Sequence, residues 1–249
     1  MTDKASALKI SGLSFSYQKD IKALENIELD IETGERVGII GPNGAGKTTL
    51  FLVICGILKP DSGGVLLLDK PVVRGKFNPE AAMVFQRSDD QLFCPSVRDD
   101  VAFGPENMGL GSKEIEKRVE QALSDVGGLE LASRPVHHLS EGEKRIVSIA
   151  GILAMDPRLI IYDEPSASLD IRSRRRLISI MLRSSQTLVI ASHDLEMILE
   201  VCTRVIIMDN GAIVAQGDPV KIMGDEKLML AHGQEKPHSL IPHQVNHRH

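Results

Sequence analysis

Residues 41–48 have the types and spacing of a loop that holds phosphate groups. They fit the pattern G-x-x-x-x-G-K-[ST] and lie between an apolar run and a second apolar segment, residues 50–58, that we predict to be helical. Glycines let backbone N–H groups turn towards phosphate oxygens, and the helix N-terminus adds a positive dipole end. We expect Lys47 to reach the β- and γ-phosphates and the Thr48 hydroxyl to bind Mg²⁺. The alternative is a glycine-rich turn without a ligand.

Two carboxylates follow another apolar run, residues 159–162. Asp163 is expected at the carboxyl end of this strand, where it would hold Mg²⁺ through the coordination shell of the ion. Glu164 is then placed to polarise an attacking water as a general base. Taken alone, the pair also fits an ordinary strand end with solvated carboxylates. The functional interpretation of Asp163 and Glu164 therefore depends on the phosphate loop elsewhere in the chain.

A single histidine, His193, follows the apolar run 188–191. A lone histidine is more often structural than catalytic. This one is predicted at the same carboxyl edge of the sheet as Lys47 and Glu164, and ligands collect at that edge in doubly wound folds. We therefore count His193 as a candidate site residue.

Hydrophobic patterns indicate how the sheet elements are arranged. Residues 26–32 alternate between apolar and acidic side chains, which predicts a half-exposed strand of an antiparallel sheet near the N-terminus. Residues 36–40, 159–162 and 187–191 are short and almost continuously apolar, as strands of a parallel sheet covered by helices are. Residues 209–211, Asp-Asn-Gly, predict a tight hairpin turn.

The middle of the chain is predicted to be mostly helical. Ser112 can cap a helix whose apolar positions repeat from Ile115 to Val126, and a second helix is expected over residues 140–155. No buried-strand pattern occurs between residues 87 and 140, so this region reads as a helical insertion between strands of the core sheet. Residues from about 237 onwards are polar and rich in histidine, and we expect them to be disordered.

Composition and charge argue against some classes of function. The net charge is −5 and the 249 residues contain no Trp, two Tyr and six Phe, which disfavours nucleic-acid binding. The three cysteines are widely spaced and follow no metal-ligand pattern, which indicates buried thiols in a reducing compartment. No signal peptide and no apolar run of about 20 residues is present, so any role at a membrane is expected to depend on a partner.

With these residues in place, the chain resembles the ATP-binding-cassette family over about residues 7 to 230. The most specific segment is residues 139–143, Leu-Ser-Glu-Gly-Glu, which is similar to the family's signature L-S-G-G-Q. Gln86 matches the family's Q-loop, residues 167–170 its D-loop and His193 its switch histidine. Tyr17 stands where the family stacks an aromatic ring on adenine. The motifs also occur in the family's order.

The resemblance implies an α/β P-loop NTPase fold of the ABC type, with a mostly parallel core sheet, an N-terminal antiparallel β subdomain and a helical insertion. Residues 1–86 and 151–235 would form the RecA-like core, residues 87–150 the helical signature subdomain, and residues 236–249 the disordered tail. It implies ATP and Mg²⁺ as ligands, with Thr48, Gln86 and Asp163 at the metal and Glu164, His193 and Gln86 in catalysis. The implied ATP contacts are Tyr17, Gly41, Pro42, Asn43, Gly44, Ala45, Gly46, Lys47, Thr48, Thr49, Ser140 and Gly142.

Two residues depart from the signature. Glu143 replaces Gln, but Ser140-x-x-Glu143 is still a capping box, so the helix N-terminus is preserved. Glu141 replaces Gly and adds negative charge near a triphosphate, and we expect its side chain to point away. The simpler interpretation is that Ser140 only caps a helix; the family interpretation is that Ser140 and the Gly142 amide contact the γ-phosphate held by a second subunit. Whether the two acidic residues lower the activity of one site stays open.

Residues 89–110 narrow the resemblance to energy-coupling-factor importers, including those for cobalt and nickel, because both D-D-Q-L-F and D-V-A-F-G-P occur there. This implies a peripheral subunit at the cytoplasmic face of the cell membrane, paired head to tail as a homodimer or heterodimer. Its partners would be a transmembrane coupling protein and a substrate-capturing membrane subunit. A generic polar loop, or a soluble ABC ATPase without a transporter, is the alternative. Phe93, Phe103 and Met108 suggest a docking groove here. Regular structure is expected to be broken at Pro95, Gly104, Pro105 and Gly109.

Two further clusters have simpler interpretations. Five of the eight histidines lie in the last 18 residues and could bind a transition metal weakly, although a solvated tail is the simpler explanation. The basic run from Arg172 to Arg176 is interpreted as an exposed helix face rather than a nucleic-acid patch.

Overall fold

The computed structural model describes residues 5–18 and 21–241. Its strands are β1 (Ser6–Gln18), β2 (Ile21–Glu32), β3 (Arg36–Ile40), β4 (Ser62–Leu67), β5 (Lys70–Pro71), β6 (Ala81–Val84), β7 (Leu159–Asp163), β8 (Thr187–Ala191), β9 (Arg204–Asp209) and β10 (Ala212–Gly217). Its helices are α1 (Lys47–Ile54), α2 (Val97–Asn107), α3 (Ser112–Asp125), α4 (Glu141–Leu153), α5 (Ile171–Arg183), α6 (Leu195–Val201), α7 (Pro219–Gly224) and α8 (Glu226–Ala231).

An antiparallel sheet, in the order β2-β1-β4-β5, covers one side of the molecule. In β2 the side chains of Ile27, Leu29 and Ile31 are buried while the residues between them are exposed. This alternation follows from the two-residue repeat of a strand whose one face meets the core and whose other face meets water. The predicted half-exposed N-terminal strand is confirmed.

The second sheet has six strands in the order β10-β9-β3-β8-β7-β6. All neighbouring pairs from β9 to β6 are parallel, and only β10 runs antiparallel, to β9. Strands β7 and β8 are buried throughout, because one apolar cluster packs on each face. The predicted α/β class, with a mostly parallel core sheet and an antiparallel N-terminal sheet, is confirmed.

The hairpin between β9 and β10 turns at Asn210 and Gly211, whose φ values are 47° and 77°. Positive φ at both positions is what a tight two-residue hairpin turn requires. Gly211 also lies against the chain at Ala23, where an added Cβ would stand only 2.8 Å from the carbonyl oxygen. The predicted turn is therefore confirmed, and it packs against the beginning of β2.

Helix α1 begins at Lys47 and ends at Ile54, four residues before the predicted end at residue 58. The chain leaves the helix at Gly56, which has a φ of 70°. A glycine in this left-handed conformation commonly stops a helix. The apolar residues after it were assigned to the helix because hydrophobicity alone does not mark where a helix ends.

Helix α2 contradicts the expectation that Gly104 and Pro105 interrupt regular structure, since both lie inside it. Ser96 caps the helix by accepting a hydrogen bond from the Asp99 amide, and its first turn is acidic, which suits the helix dipole. Gly104 packs so closely on the segment just after α4 that an added Cβ would stand 2.6 Å from Cγ of Met155. Cap and packing thus outweigh the local preferences of these two residues.

The two predicted central helices are present with one corrected cap. Gly111, not Ser112, occupies the N-cap of α3, and Ser112 is its first helical residue. The capping box of α4 is formed as predicted, with Ser140 and Glu143 exchanging hydrogen bonds. The predicted domain boundary at residue 150 falls inside α4, which continues to Leu153 because Ile152 packs into the core. The division into core and insertion otherwise stays a prediction.

The C-terminal segment differs at its start from the predicted disorder. A short 3-10 turn, His238–Leu240, lies against α6, and the Ser239 hydroxyl donates to Oε2 of Glu196 at 2.6 Å. Leu240 packs on the larger apolar cluster, which explains why this part is ordered. Residues 242–249, with three of the five tail histidines, lie outside the described residues. Within the part of the chain described, no helix combines the length and apolarity needed to cross a membrane.

Candidate nucleotide-binding site

The phosphate loop joins β3 to α1 and depends on two glycines with positive φ. Gly41 has a φ of 148°, and any Cβ there would overlap the carbonyl oxygen of Met208. Gly46, at the N-cap of α1, has a φ of 99° and would bring a Cβ to 2.5 Å from the carbonyl oxygen of Ala23. Larger residues at these positions would displace β9 or the start of β2, so the loop conformation is fixed by its glycines.

Lys47 closes the loop from inside. Its Nζ donates to the carbonyl oxygens of Gly41 at 2.7 Å and Pro42 at 3.1 Å, and the side chain is buried. Burial lowers the pKa of Lys47, and the charges of Glu164 and Asp163 partly oppose that shift. An ammonium that is poorly hydrated and bonded only to neutral carbonyls is well prepared to bind phosphate oxygens.

Thr48 and Asp163 meet across the floor of the site. The Thr48 hydroxyl donates to Oδ2 of Asp163 at 2.8 Å, although 115 residues separate the two in sequence. Asp163 is 4% exposed, and burial raises its pKa while the Thr48 hydrogen bond lowers it. A hydroxyl beside a buried carboxylate is the hard-oxygen donor set that Mg²⁺ prefers. These residues therefore fit a magnesium ion.

Glu164 has a backbone φ of 47° and is held by its own amide, which donates to the carbonyl of Ala191 at 2.9 Å. Its Oε2 accepts from the His193 amide at 3.1 Å. Its Oε1 is buried and has no hydrogen-bond partner among the described residues; Nε2 of His193 is 3.4 Å away. Left-handed backbone and an unpaired buried oxygen both favour a functional role over a packing role.

His193 connects Glu164 with the phosphate loop. Its Nε2 lies 3.0 Å from Oδ1 of Asn43, besides its contact with the carboxylate. The imidazole therefore stands between β8 and the loop, as expected for a side chain at the carboxyl edge of the sheet. It is 46% exposed, so a ligand in the site can reach it.

A cavity of about 920 Å³ collects most of the predicted site residues. Tyr17 forms its outer wall: the ring is 56% exposed, and its hydroxyl lies 3.1 Å from Oγ1 of Thr49. The predicted residues that line this cavity are Tyr17, Asn43, Gly44, Ala45, Gly46, Lys47, Thr48, Thr49, Gln86, Asp163, Glu164 and His193. The cavity thus brings together an aromatic ring, a glycine-rich loop with a buried lysine, a hydroxyl–carboxylate pair and a second carboxylate.

Ser140 and Gly142 are not part of the lining of this cavity. They lie at the amino-terminal end of α4, where the Ser140 amide donates to Oε2 of Glu143 at 2.8 Å. That hydrogen bond is the main cause of the lowered pKa of Glu143, and Arg134 adds an ion pair at 2.7 Å. The residue that replaces Gln is therefore paired within the helix cap.

Glu141 is also paired. Its Oε1 accepts from Nζ of Lys144 at 3.0 Å, and the carboxylate is 58% exposed. The added charge is thus partly neutralised one turn along the same helix. Gly142 leaves no room for a side chain, because a Cβ would overlap Oγ of Ser173 at the start of α5. Both departures from the signature pattern leave the N-terminus of α4 intact.

An ion pair at the cavity wall was not predicted from the sequence. Arg174 donates to both carboxylate oxygens of Asp194, and both residues line the cavity. The basic run was predicted to be an exposed helix face, yet Arg174 is paired here and Arg176 donates to the carbonyls of Val126 and Gly127. The only sequence signal was that Asp194 directly follows His193.

Comparison with known proteins agrees with this geometry. The family profile described as ABC transporter matches residues 24–167, which include the phosphate loop, Gln86, the signature segment and Asp163-Glu164. The chain belongs to the ABC transporter family. It is an ABC-type ATPase subunit, with the ATP-binding fold that the sequence predicted.

Individual relatives place this ABC subunit more closely. A Synechocystis sp. protein named as an ABC transporter ATP-binding protein is 52% identical over 94% of this chain and 82% of its own length. The energy-coupling factor transporter ATP-binding protein EcfA of Methanothermobacter thermautotrophicus is 44% identical over 89% of this chain and 74% of its own. The structure of CbiO1 from Clostridium perfringens, titled as part of the CbiONQ complex, matches with a TM-score of 0.80 at 36% identity, covering 92% of this chain and 94% of that one.

Proposed function

We propose that this ABC subunit hydrolyses ATP to drive an importer of the energy-coupling-factor type. The names of the EcfA and CbiO1 relatives support this class of transporter. The observation that carries the proposal is an apolar groove between α2 and α4, lined by Phe103, Gly104, Val147 and Gly151 among others. None of its lining residues lines the nucleotide cavity. A free-standing ATPase has no evident use for such a groove.

ATP is proposed to lie in the 920 Å³ cavity with its adenine on Tyr17 and its phosphates in the loop. Residues 43–46 contribute backbone N–H groups, and Lys47 exchanges its two carbonyl partners, those of Gly41 and Pro42, for phosphate oxygens. Thr49 joins the adenine-side wall through its contact with Tyr17. Thr48, Asp163 and Gln86 would hold Mg²⁺, which when bound neutralises charge on the β- and γ-phosphates.

Hydrolysis needs a base for the attacking water, and Glu164 is proposed for this role. Its buried Oε1 is free of hydrogen bonds within the described residues and can accept the water proton as the water oxygen attacks the γ-phosphorus. The bond between that phosphorus and the oxygen of the leaving ADP breaks in the same reaction. His193, bonded to Asn43 and next to Glu164, would orient the water and the γ-phosphate. Gln86 is proposed to position the water and the metal.

A second ABC subunit, identical or not, is proposed to complete each site. Ser140 and Gly142 are at a helix N-terminus outside the chain's own cavity, where a dipole and free amides can meet the γ-phosphate bound by a partner. In a head-to-tail dimer each ATP would be held between the phosphate loop of one subunit and the signature of the other. Binding would close the dimer and hydrolysis would reopen it.

The groove between α2 and α4 is the proposed docking site for a helix of a transmembrane coupling protein. Its cavity measures about 250 Å³ and is lined mainly by apolar atoms. Phe93 and Phe103 stand at its edge with their rings perpendicular and 4.8 Å apart, and they are 64% and 44% exposed. Exposed aromatic rings beside an apolar groove are typical of helix-in-groove recognition.

The remaining assignments follow from this docking. The subunit would sit peripherally on the cytoplasmic face of the membrane, and a separate substrate-capturing membrane subunit would select the cargo. Cobalt, nickel or another micronutrient is the proposed cargo class, because residues 89–110 resemble the corresponding segment of energy-coupling-factor importers. Co-purification of the capturing subunit followed by elemental and vitamin analysis of its bound ligand would test this.

The docking proposal is tested by replacing Phe93 with Asp. Nucleotide binding by the free subunit should persist, while co-purification with the membrane partner and transport are lost. Leu230→Asp is the matched control, because Leu230 is 61% exposed on α8, away from the groove. Normal assembly and transport by Phe93→Asp would contradict the proposal. An unfolded Phe93→Asp protein would also contradict it, since the ring would then belong to the core.

A further inference from the structure

A buried arginine on the signature helix holds the backbone of the Q-loop. Arg145 is 4% exposed; its Nη1 donates to the carbonyl of Phe85 and its Nη2 to the carbonyl of Gln86, both at 2.5 Å. Its Nε has no hydrogen-bond partner among the described residues. The guanidinium therefore donates hydrogen bonds to two adjacent backbone carbonyls that lie about 60 residues earlier in the chain.

Two neighbouring side chains make the same connection. The side-chain amide of Gln91 donates from Nε2 to the carbonyl of Ser148 at 3.0 Å, and its Oε1 accepts from the backbone amide of Phe85 at 3.3 Å. Gln91 therefore joins both ends of residues 85–91 to α4. Lys144 donates to Oδ1 of Asp89 at 2.7 Å. The first three turns of α4 thus bind residues 85–91 at several points.

The sheet holds this segment less firmly. Within residues 5–18 and 21–241, strand β6 lies at the edge of its sheet, pairs only with β7, and ends at Val84. The hydrogen bonds that follow, at Phe85 and Gln86, are made to side chains of α4 or to Gln91. Because Gln86 lines the nucleotide cavity, its position there depends on where α4 lies.

Burial makes the contact of Arg145 sensitive to substitution. Burial lowers the pKa of its guanidinium, and the charge of Glu141 partly opposes that shift. A buried charge is tolerated where it is hydrogen-bonded, and removing it leaves the two carbonyls without donors. A shorter or neutral side chain cannot donate to the carbonyl oxygens of both Phe85 and Gln86, as the guanidinium of Arg145 does.

We propose that Arg145 is a positioning residue for ATP hydrolysis, which fixes the Gln86 side chain in the nucleotide cavity to the helix that carries Ser140 and Gly142. The inference rests on the role proposed above for Gln86. The groove is lined by Val147, Ser148 and Gly151 of the same helix, and by Gln91 of the segment that Arg145 holds. A shift of α4 on docking or dimer closure would therefore move Gln86 relative to the bound nucleotide.

A double-mutant cycle tests this in the full-length chain within its assembled complex. We would measure kcat for ATP in the unaltered protein, Gln86→Ala, Arg145→Met and the double variant. Each single change should lower kcat about tenfold, the order expected when a reacting group is misplaced. If Arg145 acts through Gln86, the double variant should be no slower than Gln86→Ala within about twofold.

Two further measurements separate positioning from loss of structure. ATP affinity without Mg²⁺ should be unchanged within about threefold, since neither side chain holds the phosphates directly. Arg118→Met is the matched control, because Arg118 also donates from its Nη1 to two backbone carbonyls of the same helical region, those of Ala154 and Met155. Its kcat should stay within about twofold of the unaltered protein.

Multiplicative effects, with the double variant about a hundredfold slower, would overturn the inference and leave the role of Gln86 intact. If Gln86→Ala hydrolyses ATP normally, the proposed role of Gln86 fails and the inference fails with it. Should Arg145→Met not fold, Arg145→Lys keeps the charge but cannot serve both carbonyls. Arg145→Lys should lower kcat when Gln86 is present and should have no further effect on the Gln86→Ala variant. An unchanged kcat for Arg145→Lys with Gln86 present would overturn the inference.

Discussion

The nucleotide cavity and the amino-terminal end of α4 differ in how complete they are within one chain. In the cavity, Lys47, Thr48, Asp163, Glu164 and His193 are already within hydrogen-bonding or ion-pair distance of one another or of the loop. At α4, Ser140 caps its own helix and faces none of these groups.

From this difference we expect ATP binding to need one chain and ATP hydrolysis to need two. The glycines of the phosphate loop lie tightly against β9 and β2, and we expect the loop to bind ATP without any partner. The helix N-terminus at Ser140 has the dipole and amides for a phosphate but no phosphate-binding loop of its own. Changes in the cavity should therefore affect a single chain, whereas changes at α4 should affect only the assembled pair.

Replacement of Lys47 by Ala should have the largest effect and should act on the isolated chain. Losing its charge-assisted bonds to the phosphates should weaken ATP binding by more than about a hundredfold, since such bonds contribute about 1.5–3 kcal/mol each. Isothermal titration of the free subunit measures this, with the exposed Lys113→Ala as the control. ATP affinity within a few-fold of the unaltered protein would contradict the assignment of the loop.

Replacement of Ser140 by Arg should separate the two regions. ATP binding by the free subunit should be unchanged, while hydrolysis by the assembled pair should fall about tenfold to a hundredfold, since a charged bulk replaces one phosphate-facing group. Ser112→Arg is the matched control, because Ser112 also lies in the first turn of a helix, α3, and is exposed. Equal hydrolysis by the two variants would show that Ser140 only caps α4.

Replacement of Asp163 by Asn should have the smallest effect among these changes. Unlike the others it should improve a property of the protein, because it should raise the thermal stability of the metal-free chain. Burial raises the pKa of Asp163, so above that pKa its charged form lowers the stability of the metal-free protein. Asn carries no charge and can still accept from Thr48, so Tm should rise at neutral pH while magnesium-dependent hydrolysis is lost. As pH falls through the pKa of Asp163 in the folded protein, the difference in Tm should disappear.

Thermal unfolding of both proteins across this pH range provides the test of the Asp163 prediction. Asp218→Asn is the control, because Asp218 is an exposed N-cap on α7 and Asn caps a helix about as well as Asp. A lower Tm for Asp163→Asn at neutral pH would mean that the Lys47 charge outweighs burial at this carboxylate.

The comparison also explains which parts could be predicted from the sequence. The phosphate loop was predicted because its chemistry needs glycines, Lys47 and Thr48 at fixed spacing in one continuous segment. The strands were predicted because their burial repeats every two residues or is continuous. Asp163 and Glu164 followed because parallel strands end at one edge of a sheet, which brings distant residues together.

Other features depend on packing that leaves little trace in the sequence. Helix α2 passes through Pro105 because Ser96 caps it and Gly104 packs on Met155, contacts that local preferences do not contain. The role of Arg145 depends on carbonyls about 60 residues away, and no spacing rule links the two. A charged residue among the buried apolar positions of α4 was the only available signal.

Replacement of Glu164 by Gln tests the central claim, catalysis within this cavity, most directly. The change keeps the shape of the side chain and removes only its capacity to accept a proton. ATP binding should persist, hydrolysis should fall by about 10²–10⁴-fold, and ATP-bound dimers should accumulate because closure no longer leads to release. Single-turnover hydrolysis and size-exclusion chromatography with light scattering measure both on one sample. Turnover within a few-fold of the unaltered protein would contradict the assignment of Glu164 as the base.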